Sequence, residues 1–124
     1  SSSEKPFFWY ENLEEALKEA NQTQKMVFVD FTGYTCTNCR WMEANIFTKR
    51  EVLNRFNEMI LVRLYTDGGE NYREKQQYEI DRFGTAALPY YVILNPYDEV
   101  IVSFPGLTRN LDDFVEFLDK GLTG

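Results

Sequence analysis

Two cysteines three residues apart constrain this chain more than any other feature of its sequence. Cys36 and Cys39 are the only cysteines, and they follow the apolar run from Met26 to Phe31. If a helix begins at Cys36, the two residues share one face, so their sulfurs can form a disulfide or open into two thiols with little backbone movement. Unpaired N–H groups and the positive end of the helix dipole would stabilise a thiolate at Cys36. The pattern predicts that Cys36 is the nucleophile and that Cys39, one turn later, resolves the mixed disulfide.

Two other uses of such a pair remain open at this point. Half of a zinc site has the same spacing, but zinc normally takes several Cys, His or carboxylate ligands, and the chain has no histidine and no further cysteine. A static structural disulfide is the second alternative, because oxidised pairs in secreted domains are commonly structural. We expect dithiol–disulfide chemistry, with no metal and no small-molecule cofactor.

Length and charge limit the partners. A chain of 124 residues forms one domain with a core of its own, and 44% hydrophobic residues fit a packed globule. The net charge of −7 argues against nucleic acid and anionic membrane surfaces, and suggests a soluble carrier that meets other proteins. No stretch approaches the roughly 18 apolar residues of a membrane span. Because the chain begins with three serines, we expect residues 1–6 to be a disordered tail or a remnant of an excised piece, and residues 7–124 to form the domain.

The apolar pattern predicts alternating strands and helices. Continuous apolar runs predict strands, and apolar residues that recur every third or fourth position predict amphipathic helices. Strands are expected at 7–10, 26–31, 59–65, 88–94 and 100–104. Helices are expected at 12–21, from Cys36, from Thr48, at 70–83 and at 111–122. Asn12 and Thr48 are the predicted N-caps, with Glu51 completing a capping box, and Gly84 is expected to end the fourth helix, which should be largely solvated.

This order of elements predicts an α/β fold in which a central mixed β-sheet is flanked by helices on both faces. Parallel strands joined by right-handed crossovers bring the Cys36 turn to a carboxyl end of the sheet, where such folds place their sites. Pro89 is expected at the start of its strand, where a missing N–H is tolerated.

Three motifs in sequence order resemble the thioredoxin superfamily. They are Val29-Asp30-Phe31, then Cys36-x-x-Cys39, then Leu88-Pro89 before a strand. The resemblance covers residues 7–122 and implies the thioredoxin fold. Within the superfamily, the chain is most similar to the carboxyl-terminal periplasmic domain of the DsbD family of thiol:disulfide interchange proteins. The shared features are Asp30 before the pair, Glu43 after it and the aromatic, Glu-rich lead-in from Trp9 to Leu17.

The resemblance implies a protein-disulfide reductase domain that relays two electrons through its cysteine pair. Its partners would be other thiol–disulfide exchange proteins or domains, including a membrane-embedded cysteine pair in a longer protein. Its compartment would be periplasmic or extracytoplasmic, in a bacterial inner-membrane protein connected with cytochrome c biogenesis. No cofactor is implied beyond the Cys36–Cys39 disulfide. Thr35 stands where thioredoxins usually have tryptophan, and Thr37-Asn38 stands inside the pair, which leaves the redox potential and the partner surface open.

Four residues are predicted to bind the partner: Tyr34, Thr35, Leu88 and Pro89. Pro89 resembles the cis-proline that lies beside the disulfide in this family, where the backbone of Leu88 would pair with an extended partner segment. The alternative is a trans proline that merely begins an edge strand. Tyr34 is either a partner contact or the hydrophobic plug of its turn.

Two carboxyl groups, those of Asp30 and Glu43, are predicted to serve the cysteines. A carboxylate in a buried strand is costly unless it is paired, hydrated or neutral, and its raised pKa would suit proton exchange with Cys39. Glu43 lies on the same helical face as the cysteines. The alternatives are a strand-end Asp30 that reaches water and an ordinary solvated Glu43. Arg40 is expected to favour the Cys36 thiolate.

Two rival functions fit the same residues. The first is a free-standing thioredoxin-like oxidase or isomerase, which would have a higher redox potential than a reductase. The second is a non-catalytic binding module of the same fold whose disulfide is inert.

Overall fold

The computed structural model describes residues 7–124, so the predicted tail at residues 1–6 lies outside the described residues. The described chain contains a five-stranded sheet in the order β1-β3-β2-β4-β5. Strands β1, β3 and β2 are parallel, whereas β4 is antiparallel to both β2 and β5. The strand bounds are Trp9–Tyr10 for β1, Met26–Thr32 for β2, Met59–Tyr65 for β3, Tyr90–Leu94 for β4 and Val100–Pro105 for β5.

Five helices join the strands in the predicted order. Their bounds are Leu13–Thr23 for α1, Thr37–Asn45 for α2, Arg50–Phe56 for α3, Tyr72–Phe83 for α4 and Leu111–Thr123 for α5. Within residues 7–124, no helix has the length and apolar character that crossing a bilayer requires. The predicted α/β fold with a mixed sheet between two helical layers is confirmed.

The sheet separates two hydrophobic cores. Phe28 and Tyr91 belong to one core, which α2, α3 and α5 cover, and Val29 and Phe31 belong to the other, which α1 and α4 cover. Successive residues of a strand point to opposite faces. Because both faces of β2 are covered, its sequence is apolar almost without interruption. Asp30 is the exception, and it points into the core of Phe28, which is the face that carries the cysteine helix.

The helix ends confirm some of the predicted caps and correct one. Asn12 accepts a hydrogen bond from the Glu15 N–H at 3.0 Å, and Gly84 ends α4 with a positive φ of 74°, as predicted. The prediction for Thr48 is wrong: α3 begins after Lys49 without a side-chain cap. Thr48 instead donates its hydroxyl to the Ala44 carbonyl at 3.0 Å. Thr48 does not cap α3 because the helix starts one residue later than predicted, which makes Lys49 the N-cap residue.

Helix α4 is less solvated than its composition indicates. Glu79 is completely buried, while Ile80 is 39% exposed. Consecutive residues of a helix point about 100° apart, so α4 turns Glu79 towards the protein and leaves Ile80 at the surface.

Candidate functional site

The cysteine pair lies where β2 passes into α2. Cys36 is the N-cap residue of α2, and its sulfur accepts a hydrogen bond from the Cys39 N–H at 3.1 Å. The two residues form a disulfide with a Cα–Cα distance of 5.2 Å. Cys36 is partly exposed, while Cys39 is fully buried. Only the first sulfur is therefore open to a large partner.

Asp67 fixes the loop that leads into Cys36, and sequence reasoning missed this residue. Its carboxylate accepts hydrogen bonds from the Tyr34 N–H at 2.8 Å, the Thr35 N–H at 3.1 Å and the Thr35 hydroxyl at 2.8 Å. Burial opposes ionisation, but these bonds from Thr35 and Tyr34 prevail and lower the pKa of Asp67. The only sequence signal was an acidic residue just after a buried strand.

Gly33 allows this loop to pack closely. A Cβ at this position would lie 2.8 Å from an Asp67 carboxylate oxygen and 3.0 Å from the Leu88 Cδ1. Both distances are shorter than ordinary packing allows, so any side chain here would push the loop away from Asp67. Gly33 also accepts a hydrogen bond from the Cys36 N–H at 3.2 Å. The glycine thus helps to set the position of the nucleophilic cysteine.

Leu88 and Pro89 lie on the same side of the sheet end as the cysteine loop. The peptide bond between them is cis, as predicted. The Leu88 side chain touches the loop at Gly33, and the Pro89 carbonyl accepts a hydrogen bond from the Gly106 N–H at 3.0 Å. The structure therefore brings Leu88 against Gly33, the residue before Tyr34 and Thr35, although more than fifty residues separate them in sequence.

Tyr34 forms an exposed aromatic surface next to the pair. Its ring stacks on that of Tyr65, with a centroid distance of 3.9 Å and an interplanar angle of 8°. Gly68 and Gly69 lie along its edge, and a Cβ on Gly69 would come within 3.1 Å of the Tyr34 hydroxyl oxygen. Tyr34 is still 52% exposed. It is not a hydrophobic plug of the turn but a rigid ring that faces solvent.

Asp30 is buried beneath the cysteine helix. It is 1% exposed, and neither carboxylate oxygen has a hydrogen-bond partner among the described residues. The nearest cation is Arg63, whose Nε lies 3.8 Å away. Burial raises the pKa of Asp30 to about 7, with Arg63 opposing the change and Glu43 adding to it. A strand-end aspartate that reaches water is thereby excluded, and the group titrates in the range in which a thiol exchanges protons at neutral pH.

Glu43 is neither fully solvated nor free. It is bound to Arg40, with 2.9 Å between Nη2 and Oε2, and its side chain is 26% exposed. The same Arg40 nitrogen donates to the Thr32 hydroxyl at 2.9 Å. Arg40, which is expected to favour the Cys36 thiolate, forms an ion pair with Glu43 and a hydrogen bond to Thr32 at the end of β2, so Glu43 offsets part of its charge.

Tyr91 completes the buried polar group, and no sequence pattern singled it out. It lies opposite Asp30 in the antiparallel register of β2 and β4 and is 1% exposed. Burial, Asp30 and Glu43 raise the pKa of its hydroxyl, in that order of size. The phenol is therefore neutral at any pH at which the protein functions.

No part of residues 7–124 offers a group of three or more Cys, His, Asp or Glu arranged to hold a metal ion. Exchange between thiols and disulfides at this fold needs no cofactor beyond the cysteine pair. A depression of about 390 Å³ between α1 and α4 is lined by Leu13, Leu17 and Tyr78 among others, and it contains none of the predicted site residues.

Comparison with known proteins gives a consistent result. The family model described as thioredoxin-like matches residues 8–96. No curated protein matches the chain. Among solved structures, a putative disulphide-isomerase from Bacteroides thetaiotaomicron has a TM-score of 0.75 and 21% identity, over 98% of this chain and 96% of that one.

Two further structures show the same likeness. The oxidised DsbD C-terminal domain from Neisseria meningitidis has a TM-score of 0.74 and 18% identity, over 92% of this chain and 99% of that one. A thioredoxin from Thermus thermophilus has a TM-score of 0.74 and 21% identity, over 94% of this chain and 87% of that one. At such identities the likeness concerns the fold, which is the thioredoxin fold.

Proposed function

This chain belongs to the thioredoxin-like family, and from that premise we propose that it is a protein-disulfide reductase domain that relays two electrons to partner proteins. The resemblance of Asp30, Glu43 and the lead-in helix to the carboxyl-terminal domain of DsbD supports this choice within the family. The direction of electron flow and the partners are part of the proposal.

One observation carries the proposal: a partly exposed Cys36 at a helix N-cap is bonded to a fully buried Cys39. An inert structural disulfide needs no such asymmetry. An exchange reaction needs it, because one sulfur must meet a partner while the other waits, shielded, to complete the reaction. The exposed Tyr34 and Thr35 beside Cys36, with the partly buried Leu88 behind the loop, supply a place for the partner to lie.

The proposed reaction uses the cysteines and Asp30 in three steps. The Cys36 thiolate attacks a partner disulfide, so that one Cys36–partner S–S bond forms and one partner thiolate leaves. The Cys39 thiol then gives its proton to the Asp30 carboxylate, and its sulfur attacks Cys36. The Cys36–Cys39 bond forms, the second partner thiolate leaves and takes up a proton, and two electrons have passed to the partner.

The charges around the pair favour a reductant over an oxidant. Strong oxidants of this fold are oxidants because their reduced form is stabilised. Here the α2 dipole favours the Cys36 thiolate, but the buried Asp30 opposes a further negative charge wherever it is ionised. Arg40 and Glu43 form an ion pair, so their charges largely offset each other. We infer a reduced form with little extra stabilisation and therefore a low reduction potential.

The proposed setting is the periplasm or another extracytoplasmic space, where the domain would take electrons from a membrane-embedded cysteine pair. The acidic chain, with a net charge of −7, is suited to meeting other proteins and unsuited to nucleic acid. We propose that residues 7–124 belong to this functional domain.

A redox titration tests the proposed function. The chain is equilibrated in thiol–disulfide buffers of graded potential, and the fraction of Cys36–Cys39 disulfide is measured by alkylation and mass spectrometry. A reductase requires a reduction potential like that of reducing thioredoxins, about −270 mV, whereas an oxidase or isomerase would have a potential of about −120 to −180 mV.

A small aromatic disulfide added to the reduced chain provides the second test. If Cys36 fails to react with it, the domain is a binding module with an inert disulfide.

A further inference from the structure

Arg109 is an exposed cation near the cysteine helix, and the proposed reaction does not use it. It lies in the loop between β5 and α5. Its guanidinium carbon lies 5.1 Å from the centroid of the Trp41 ring. Trp41 follows Cys39 by two residues in α2, so its ring belongs to the helix that begins after Cys36. Arg109 therefore extends the surface around the cysteine pair on the α2 side.

Hydrogen bonds at both ends fix the loop that carries Arg109. At its start, the Gly106 N–H donates to the Pro89 carbonyl at 3.0 Å, which ties the loop to the strand end beside the cysteines. At its end, the Thr108 hydroxyl accepts a hydrogen bond from the Asn110 N–H at 3.1 Å. The backbone thus holds Arg109 near α2 before a partner arrives, and little conformational entropy is lost when one binds.

The charge of Arg109 is available to a partner. The arginines that form ion pairs within residues 7–124 are Arg40, Arg55, Arg63 and Arg82. Arg109 forms none there. A guanidinium that lies over an aromatic face still has N–H donors at its edge, and a carboxylate can accept two of them side by side.

Acidic residues close to Arg109 limit the strength of such a contact. Asp112 and Asp113 follow it in the first turn of α5, where the helix dipole stabilises their carboxylates. Their charges and the net charge of −7 weaken the attraction of Arg109 for an anion. We therefore expect a local contact of moderate strength rather than long-range attraction.

We propose that Arg109, held over Trp41, binds a carboxylate of the partner protein that lies within about five residues of the partner cysteine attacked by Cys36. Five residues of helix advance about 7.5 Å, and an extended partner segment advances about 3.3 Å per residue. A segment that crosses Cys36 is therefore long enough to reach Arg109. This inference rests on the proposed function, because it concerns which partner disulfides the exchange reaction accepts.

Two synthetic peptides test the inference. Each contains one cysteine linked to thionitrobenzoate, and the peptides differ only in carrying glutamate or glutamine at the third to sixth residues on each side of that cysteine. The Cys36 thiolate attacks the peptide sulfur, so that a Cys36–peptide disulfide forms and the coloured thionitrobenzoate leaves. The second-order rate constant of this release is measured at low salt for each peptide.

The quantity compared is the rate constant of the glutamate peptide divided by that of the glutamine peptide. Arg109→Gln is expected to lower this ratio about three- to fivefold, the effect of one exposed ion pair. Arg109→Glu should lower it further, because a like charge then faces the glutamate peptide.

Arg73→Gln is the matched control. It removes the same charge, and the Arg73 guanidinium also lies over an aromatic ring, that of Tyr72, at 5.5 Å. Arg73 belongs to α4, which covers the other face of the sheet from α2. Arg73→Gln is therefore expected to keep the wild-type ratio.

The possible failures are distinct. If the reduced wild type releases no thionitrobenzoate from either peptide, the proposed function is wrong. If the wild type reacts and Arg109→Gln has the same ratio as Arg73→Gln, the inference about Arg109 is wrong while the proposed function stands.

A measurement that retains Arg109 covers the case in which its variants do not fold. Each peptide is bound to Cys36 as a mixed disulfide in Cys39→Ser, and the Arg109 Nε–H signal is recorded by NMR. A shift of this signal with the glutamate peptide that is absent with the glutamine peptide supports the inference. The same signal in both complexes overturns it.

Discussion

The Tyr34 ring lies flat on the Tyr65 ring, 3.9 Å from centroid to centroid. This stack, with Gly68 and Gly69 along its edge, holds an exposed aromatic surface rigid beside Cys36. A ring that is already ordered loses little conformational entropy when a partner covers it. The stack therefore belongs to the surface at which partner selection is expected.

Tyr34→Ala is expected to weaken reaction with a protein disulfide about tenfold, the effect of removing a moderate aromatic contact. Reaction with a small aliphatic disulfide should be nearly unchanged, because such a molecule has no extended surface to dock against the ring. The two second-order rate constants measure this. Tyr97, which is 64% exposed and lies in the β4–β5 turn, provides the control Tyr97→Ala. Equal losses for both disulfides, or for both variants, would contradict a docking role.

The two cysteines are expected to behave differently when replaced by serine. Cys39→Ser should retain a stable mixed disulfide on Cys36, because no second sulfur is present to resolve it. Cys36→Ser should retain little mixed disulfide, since its remaining cysteine, Cys39, is 0% exposed. Mass spectrometry of the intact protein after reaction with a disulfide-bonded partner measures the adduct. Its appearance mainly on Cys39 would reverse the assignment of nucleophile and resolving thiol.

Asp67→Asn is expected to loosen the loop before Cys36. The substitution removes the charge that holds three hydrogen bonds, so the amides of Tyr34 and Thr35 should exchange with deuterium about tenfold faster, which corresponds to roughly 1.4 kcal/mol. Because the folded pKa of Asp67 is lowered, this stabilisation is present above the unfolded pKa and is lost as pH falls through the folded value. NMR measurement of hydrogen exchange at the Tyr34 and Thr35 amides tests this expectation. Asp98→Asn, which affects only the ion pair with Arg82, is the control, and equal protection in both variants would refute the role of Asp67.

Asp30→Asn is expected to change how stability depends on pH. The folded pKa is raised from 3.8 to about 7, so the folded chain holds a proton that the unfolded chain has already lost. Wild-type stability should fall as pH rises from about 4 through about 7. Asp30→Asn should remove part of that fall. The free energy of unfolding of the variant, relative to that of the wild type, should therefore be about 1 to 3 kcal/mol higher at pH 8 than at pH 4. Urea unfolding at both pH values measures the difference, and parallel pH curves would contradict burial of an ionisable Asp30.

Glu79 provides an independent case away from the cysteines. It is completely buried, neither carboxyl oxygen has a partner in the described chain, and burial raises its pKa to about 8. Stability should fall as pH rises from about 4.5 through about 8, and Glu79→Gln should recover about 1 to 3 kcal/mol at pH 9. Urea unfolding measures this. The exchange rates of Cys36 and Cys39 are expected to stay unchanged, so a large redox effect would show that α4 is coupled to the site.

Much of the fold followed from apolar patterning, because buried strands and amphipathic helices differ in their period. Strand β3 has its predicted bounds, and α5 differs from its prediction by one residue. The cysteines, Asp30 and Pro89 could be singled out because each is chemically unusual for its position. Asp67 and Tyr91 could not be singled out from the sequence, because an acidic residue in a turn and a tyrosine in a strand are both common. Their importance arises from strand pairing and loop packing, which bring distant residues together. The prediction for Thr48 failed because the first residue of a short helix can shift by one position, and here Lys49 is the N-cap residue.

The separation of the interior by the sheet has a practical consequence. The cysteines, Asp30 and Tyr91 belong to the face covered by α2, while the core around Val29 and Phe31 holds no predicted catalytic group. A designer could therefore repack the second core away from Leu88, which contacts the cysteine loop at Gly33, or graft a new binding segment onto α1 and α4, without contacting the reacting sulfurs. Evolution has the same freedom: one side of this small protein can vary for stability while the other keeps its chemistry.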